Sequence, residues 1–226
     1  VRPESVEVAK QRSRVLLLTS SLLTDRMFVF TNLFEVLGSR LNVDVWSQSF
    51  NNPRHVDTWQ SLFVDVKKFP KVDPFPEFPH NYLRRLNEFA WDFSRKPPSR
   101  ISLMRHRGKQ LAIELRFLGL LARFVAFFGL EQKLENRVES LMLSYDRSSE
   151  AEIRMSTERP EAVLVTGPFQ FKQPAVAAAA KKLGIPTIAF IPSWDNLSTK
   201  NRMVLNYDGY LVWNETSRNE LHYFYP

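Results

Sequence analysis

The chain has no cysteine in 226 residues. That excludes disulfides, thiolate metal sites and cysteine nucleophiles, and it suits a reducing cytoplasm. Glycine is scarce, at seven residues, so no glycine-rich loop is available to cradle a phosphate. The four histidines, His55, His80, His106 and His222, are not paired at metal-ligand spacing, so neither a metal site nor a cofactor is expected. Long apolar runs are also missing. The longest, Phe117 to Leu130, is interrupted by Arg123 and is too short to span a bilayer. No signal peptide pattern is present. The sequence opens Val1-Arg2-Pro3 and stops at Pro226 after a helix-like run, and we read it as a piece of a longer protein.

What is present suits a globular core: 44% of residues are hydrophobic and 24% charged. The run Arg14 to Thr19 predicts a buried first strand, Ser20 to Arg26 a polar loop, and Met27 to Leu37 a helix stopped at Gly38. Asn42 to Trp46 and Ser61 to Val66 predict further strands. Four prolines between 70 and 79 predict an extended crossing segment. Helices are expected over about 80–95, 101–128 and 130–147. The α/β alternation then resumes, with strands at Glu161–Thr166, Ile185–Ile191 and Gly209–Trp213 and helices at Gln173–Leu183 and Glu215–Phe224. This order predicts one Rossmann-like, doubly wound α/β domain over 1–226, with a parallel sheet and a helical insertion over about 80–147.

The positive charge is local. Residues 95–128 carry eight basic residues and one acid, a surplus equal to the whole chain's formal +7. At about 100° per residue, Arg105, Lys109, Arg116 and Arg123 fall in one stripe beside a broad apolar face. That pattern suits either a solvated helix edge or attachment to an anionic membrane surface. No nucleic-acid motif accompanies it, and no nucleic-acid partner is expected.

Three loops follow the carboxyl ends of predicted strands, where open α/β sheets bind ligands. In the first, Asp25 is either a helix cap or a base, and Arg26 is a candidate for binding carboxylate or phosphate. The second is Thr166-Gly167-Pro168-Phe169, which reads either as a plain βα turn or as a helix start whose free N–H groups could hold an anion. The third is Ser193 to Lys200, with Trp194, Asp195, Asn196 and Lys200 in eight residues. It reads either as a capped turn or as a site. His80, after Pro79 at an expected helix start, reads either as a structural residue or as a further candidate base, imidazole being the side chain suited to proton transfer near neutral pH.

The pattern L-G-I-P-T-I-A-F-I-P-S-W-D-N-L-S-T-K, followed by D-G-Y-L-V-W-N-E-T-S-R-N-E-L, resembles the end of the N-terminal domain of bacterial surface-carbohydrate glycosyltransferases of the glycosyltransferase-B fold. These include capsule-synthesis and glycerophosphotransferase-like enzymes. The matching residues are Ser193, Trp194, Asp195, Asn196, Leu197 and Lys200, then Asp208, Tyr210, Leu211, Val212, Trp213 and Glu215. The good match covers about 160–224. The family usually has glycine after the lysine, where this chain has Asn201. The resemblance implies an acceptor-binding half of a transferase for surface polysaccharide. The nucleotide-sugar donor would be held by a second, C-terminal domain that this chain lacks. It implies that a carbohydrate or lipid-linked acceptor binds this half, in the cytoplasm or at the inner face of the membrane. Asp25, His80 and Asp195 would be candidate bases, and Arg26, Thr166, Gly167, Ser193, Trp194, Asn196 and Lys200 would contact substrate. Two alternatives remain open: a nucleotide-sugar 2-epimerase of the same fold, and a non-enzymatic membrane-associated binding module.

Overall fold

The computed structural model describes residues 12–19, 22–51, 65–97 and 113–225. Six strands form one all-parallel sheet: β1 (Ser13–Thr19), β2 (Leu41–Ser47), β3 (Asp65–Lys68), β4 (Ala162–Val165), β5 (Thr187–Phe190) and β6 (Gly209–Leu211). Their order across the sheet is β3-β2-β1-β4-β5-β6. The helices are α1 (Leu22–Val29), α2 (Leu33–Gly38), α3 (Tyr82–Arg95), α4 (Ile113–Phe127), α5 (Glu131–Ser144), α6 (Ser149–Glu158), α7 (Gln173–Lys182), α8 (Asn196–Thr199) and α9 (Glu215–Phe224). This is the expected α/β fold with a Rossmann-like sheet.

Strand alternation shows why both faces are covered. Along β1, Leu16 and Leu18 enter the main core with Trp46, Val163, Val165, Ala189 and the alanine-rich face of α7. Leu17 points the other way, to a smaller core with Val45 and with Phe28 of α1. A strand buried on both faces must be apolar at successive positions, which is why Arg14 to Thr19 reads as a continuous run. Ala175 to Ala180 are all buried. Their small side chains let α7 lie close to the sheet. Gly184, at φ +69°, ends the turn after α7 in the left-handed region that favours glycine.

Helices α3 to α6 occupy the crossover from β3 back to β4. Leu86 and Ala90 of α3 pack on Leu118 and Ala122 of α4 in a core of their own. Trp91 ties this layer to the sheet domain: it is 1% exposed, and its indole N–H donates to the Phe224 carbonyl at 2.9 Å.

Several elements differ from the sequence reading. Helix α1 begins at Leu22, inside the expected polar loop, and the expected single helix is two, broken at 30–32. Helix α6 was not anticipated. It buries only Ala151 and Met155, an i,i+4 pair too sparse to show as periodicity. Strand β3 lies toward the end of the expected 61–66 strand and beyond it, and 61–64 fall outside the described residues. The 101–112 part of the expected long helix also lies outside them.

Candidate functional site at the carboxyl edge of the sheet

The chain runs outward from β1 to β2 and β3, then returns beside β1 and runs the other way through β4, β5 and β6. The reversal falls between β1 and β4. In this sheet order, ligands bind in the crevice outside the carboxyl ends of those strands.

Hydroxyl side chains line that edge. Thr19 ends β1 in register with Ser47, which ends β2. Leu18 pairs with Val165, so Thr166 follows at the level of Thr19. Ser47 and Thr19 are fully buried, and Thr166 is 1% exposed. The Thr166 hydroxyl donates across the switch point to the Leu18 carbonyl at 2.7 Å. The Thr19 Oγ1 has no hydrogen-bond partner among the described residues.

Asp25 stands over this row. It is neither a loop residue nor a helix cap; it lies within α1, and with Thr24 and Phe28 it forms the buried face of that helix. Asp25 is 0% exposed. Its Oδ2 accepts a long bond, 3.4 Å, from Ser47 Oγ, and its Oδ1 has no partner among the described residues. The Ser47 hydroxyl also accepts from the Ser49 N–H at 3.0 Å, so it is shared. A buried carboxyl oxygen without a donor costs stability. Arg26 is the next residue, about 100° around the helix, and is exposed, so it does not join Asp25.

Gly167 does not offer a free amide. Its N–H donates to Gln173 Oε1 at 2.8 Å, and Gln173 Nε2 lies 3.3 Å from Thr166 Oγ1. Gln173 is fully buried at the start of α7 and braces the β4–α7 turn from within. A side chain at position 167 would meet Gln170 and Gln173 at 2.9–3.0 Å, which explains the glycine. The Gly167 amide is thus taken by the chain's own Gln173, in keeping with the plain-turn reading of this loop.

The Ser193–Lys200 loop follows β5 on the same edge. Leu197 is fully buried and Asn196 is 6% exposed, and these two anchor the short α8. Asp195 precedes α8 but does not cap its backbone with its side chain. Its Oδ1 accepts from Ser193 Oγ at 2.6 Å and from Asn196 Nδ2 at 3.3 Å, and its Oδ2 accepts from Thr199 Oγ1 at 3.2 Å. The Ser193 hydroxyl, and then the Thr199 hydroxyl, hold this carboxyl below the ordinary Asp range against the opposing effect of burial; Lys200 adds in the same direction. Asp195 is therefore a weakened base and the organiser of its own loop. Trp194 beside it is 74% exposed, and Lys200 is exposed.

Exposed aromatics recur along the edge. Phe171 follows β4 at 44% exposure, Trp194 follows β5, and Trp213 follows β6 at 57%. Three successive loops at this edge thus each carry a large, partly exposed ring, and the Arg84 guanidinium lies 4.6 Å from the centroid of the Phe171 ring.

His80 sits elsewhere in the fold, in an irregular turn over Glu77–Asn81. Its ring stacks on Phe75 (6.0 Å, 18°) and lies 4.8 Å from Tyr145. Arg147 covers the other ring of this stack, 3.7 Å from the Phe75 centroid, and donates to the Asp73 and Phe171 carbonyls at 2.8 and 3.1 Å. Burial, with Arg84 close by, lowers the Arg147 pKa to about 10. His80 thus joins an aromatic stack that Arg147 ties to the β4–α7 loop, and no contact brings it to Asp25 or Asp195. Of the basic stripe, Arg105 and Lys109 lie outside the described residues, as does the side chain of Arg116. Arg123 is exposed on α4, 5.1 Å from the Phe93 ring.

Sequence reasoning missed Thr19, Ser47, Gln173 and Phe171. Each has an ordinary signal, a strand end or a helix start, and only the sheet register assembles them. Among the described residues no three His, Asp or Glu side chains converge as metal ligands. Comparison with known proteins found no family model, no curated protein and no solved structure that matches this chain.

Proposed function

We propose that this chain is the acceptor-binding domain of a glycosyltransferase of bacterial surface-polysaccharide synthesis, with the nucleotide-sugar held by a second domain. The observation that carries the reading is Asp25. It is a fully buried carboxyl beside Ser47 at the carboxyl edge of a β3-β2-β1-β4-β5-β6 sheet, with one oxygen unpartnered among the described residues, and the most family-like loop follows a strand on the same edge. A group that costs stability at the place where the fold binds ligands is best understood as retained for chemistry. Asp25 would take the proton of an acceptor hydroxyl as that oxygen attacks the anomeric carbon of the activated sugar, whose nucleotide diphosphate departs. Such a step requires α1 to open toward the acceptor. Asp195, with its carboxylate already bonded to three side chains, would shape the loop. Trp194 would offer an apolar face to a sugar ring, and Lys200 and Arg26 would supply cations to an anionic acceptor or to the diphosphate.

The absence of a glycine fingerprint after β1 speaks against a dinucleotide in the crevice. The test is ligand titration of residues 1–226 followed by nuclear magnetic resonance. Bacterial surface oligosaccharides should bind, and Trp194→Ala should weaken them about tenfold, the scale of one lost aromatic contact. Micromolar binding of a nucleotide-sugar to this chain alone would overturn the acceptor reading in favour of an epimerase-like site. Binding of neither ligand class would overturn both.

A further inference from the structure

We infer that the outer face of α4 is a docking surface for an anionic phospholipid bilayer, entered in the plane of the membrane rather than across it. Helix α4 is apolar on both sides. Its inner side, through Leu118 and Ala122, is consumed by packing on Leu86 and Ala90 of α3. Its outer side has no such partner among the described residues. Phe117 is 58% exposed, Leu120 62%, Phe124 58%, Phe127 83%, and Phe128 in the turn that follows 55%. At about 100° per residue these five share an arc of roughly 100°. At about 200 Å² per large side chain they expose on the order of 600 Å², the upper end of the largest patch on an ordinary monomer.

Charge selects the occupant. From Ile113 to Leu130 the chain has two arginines, Arg116 and Arg123, against one acid, Glu114. By helical angle Arg123 falls at one border of the phenylalanine arc, and it is exposed there. Phenylalanines bordered by arginine, with no acid between Phe117 and Phe128 and a surplus of basic residues over 95–128, match the boundary between acyl chains and anionic headgroups. Dimension selects the mode. The helix has 15 residues, about 22 Å at 1.5 Å per residue, short of the roughly 30 Å hydrocarbon core, and no described helix is long and apolar enough to cross a membrane. The inference is independent of the sugar chemistry proposed above, because it involves no residue of the carboxyl edge.

The chain has no native cysteine, so Phe127→Cys carrying an environment-sensitive fluorophore gives a single reporter on the exposed arc. Ser156→Cys, exposed on α6, serves as the control. Mixed phosphatidylcholine–phosphatidylglycerol vesicles should shift the Phe127 reporter to the blue and leave the Ser156 reporter unmoved. Pure phosphatidylcholine should do so much more weakly, and added salt should reduce the response, since screening acts over about 8 Å at physiological ionic strength. Replacing Phe124, Phe127 and Phe128 by serine should lower co-sedimentation with the mixed vesicles about a hundredfold. Arg123→Gln should lower it several-fold with a shallower salt dependence. The labelled protein reports on an unaltered remainder of the face, so the test stands even if the triple variant folds poorly. No shift and no sedimentation would overturn the inference. So would a concentration-dependent dimer, abolished by the triple variant and indifferent to vesicles, which would make a second copy of the chain the occupant.

Discussion

Asp25→Asn tests the central physical claim about the site. Among the described residues the carboxyl is fully buried, receives one 3.4 Å bond from a hydroxyl already shared with the Ser49 amide, and leaves Oδ1 without a partner. An amide has nearly the same shape and cannot carry charge. A neutral group is cheaper to bury than an acid with so little compensation, and the gain should be about 1–2 kcal/mol. For a domain of this size that is a rise in melting temperature of roughly 2–8 °C. Differential scanning calorimetry at neutral pH measures it, and oligosaccharide titration of the same sample measures function. The expected result is a more stable protein with impaired acceptor handling, the pattern of a functional residue held at a cost to the fold. A loss of about 1 kcal/mol or more would refute the reasoning, because it would make Asp25 a satisfied structural group. A stabilised variant with unchanged binding would remove Asp25 from the site.

Two further outcomes follow from buried or depressed charges elsewhere. Arg202 is 7% exposed, ion-paired with Glu135 and lies near the Trp91 and Tyr225 rings, so Glu135→Ala should cost about 3 kcal/mol by stranding the guanidinium, and Arg202→Met added to it should recover most of that in urea melts. Asp208 accepts from the Thr187 N–H (2.8 Å) and hydroxyl (2.9 Å), and these bonds, the amide first, lower its pKa as the Ser193 hydroxyl lowers that of Asp195. A folded pKa below the unfolded one gives stability that is present above the ordinary carboxylate range and lost as pH falls through the depressed value. Melting curves should therefore show wild type converging on the Asp195→Asn/Asp208→Asn double variant as pH drops below about 4; an unchanged gap there would count against both assignments.

How far the fold could be read depended on how much of each element's burial is written along the chain. β1 is buried on both faces, so Arg14 to Thr19 is apolar at successive positions and visible. Helix α9 spans Glu215–Phe224 as expected, and its start is marked by Asn214, whose side chain accepts from the Ser217 N–H at 2.9 Å. Helix α6 escaped notice because two buried residues suffice to seat it against α7. The break at 30–32 escaped because Thr31 looks like any polar helix position; in the fold its hydroxyl turns back to the Met27 carbonyl at 2.7 Å.

The sequence by itself determined the parallel α/β class, the strand ends that carry polar loops, the concentration of positive charge in residues 95–128, and the Ser193–Lys200 loop as a place of interest. Only the tertiary structure decided that Asp25 is sealed inside α1 over Ser47, that Gln173 occupies the amide of Gly167, that Asp195 serves its own loop, and that the phenylalanines of α4 face outward. The reason is physical. Periodicity records how many sides of an element are apolar, a local property. Which side meets a neighbour depends on strand register and helix placement across separations of tens to hundreds of residues, and no local pattern encodes those.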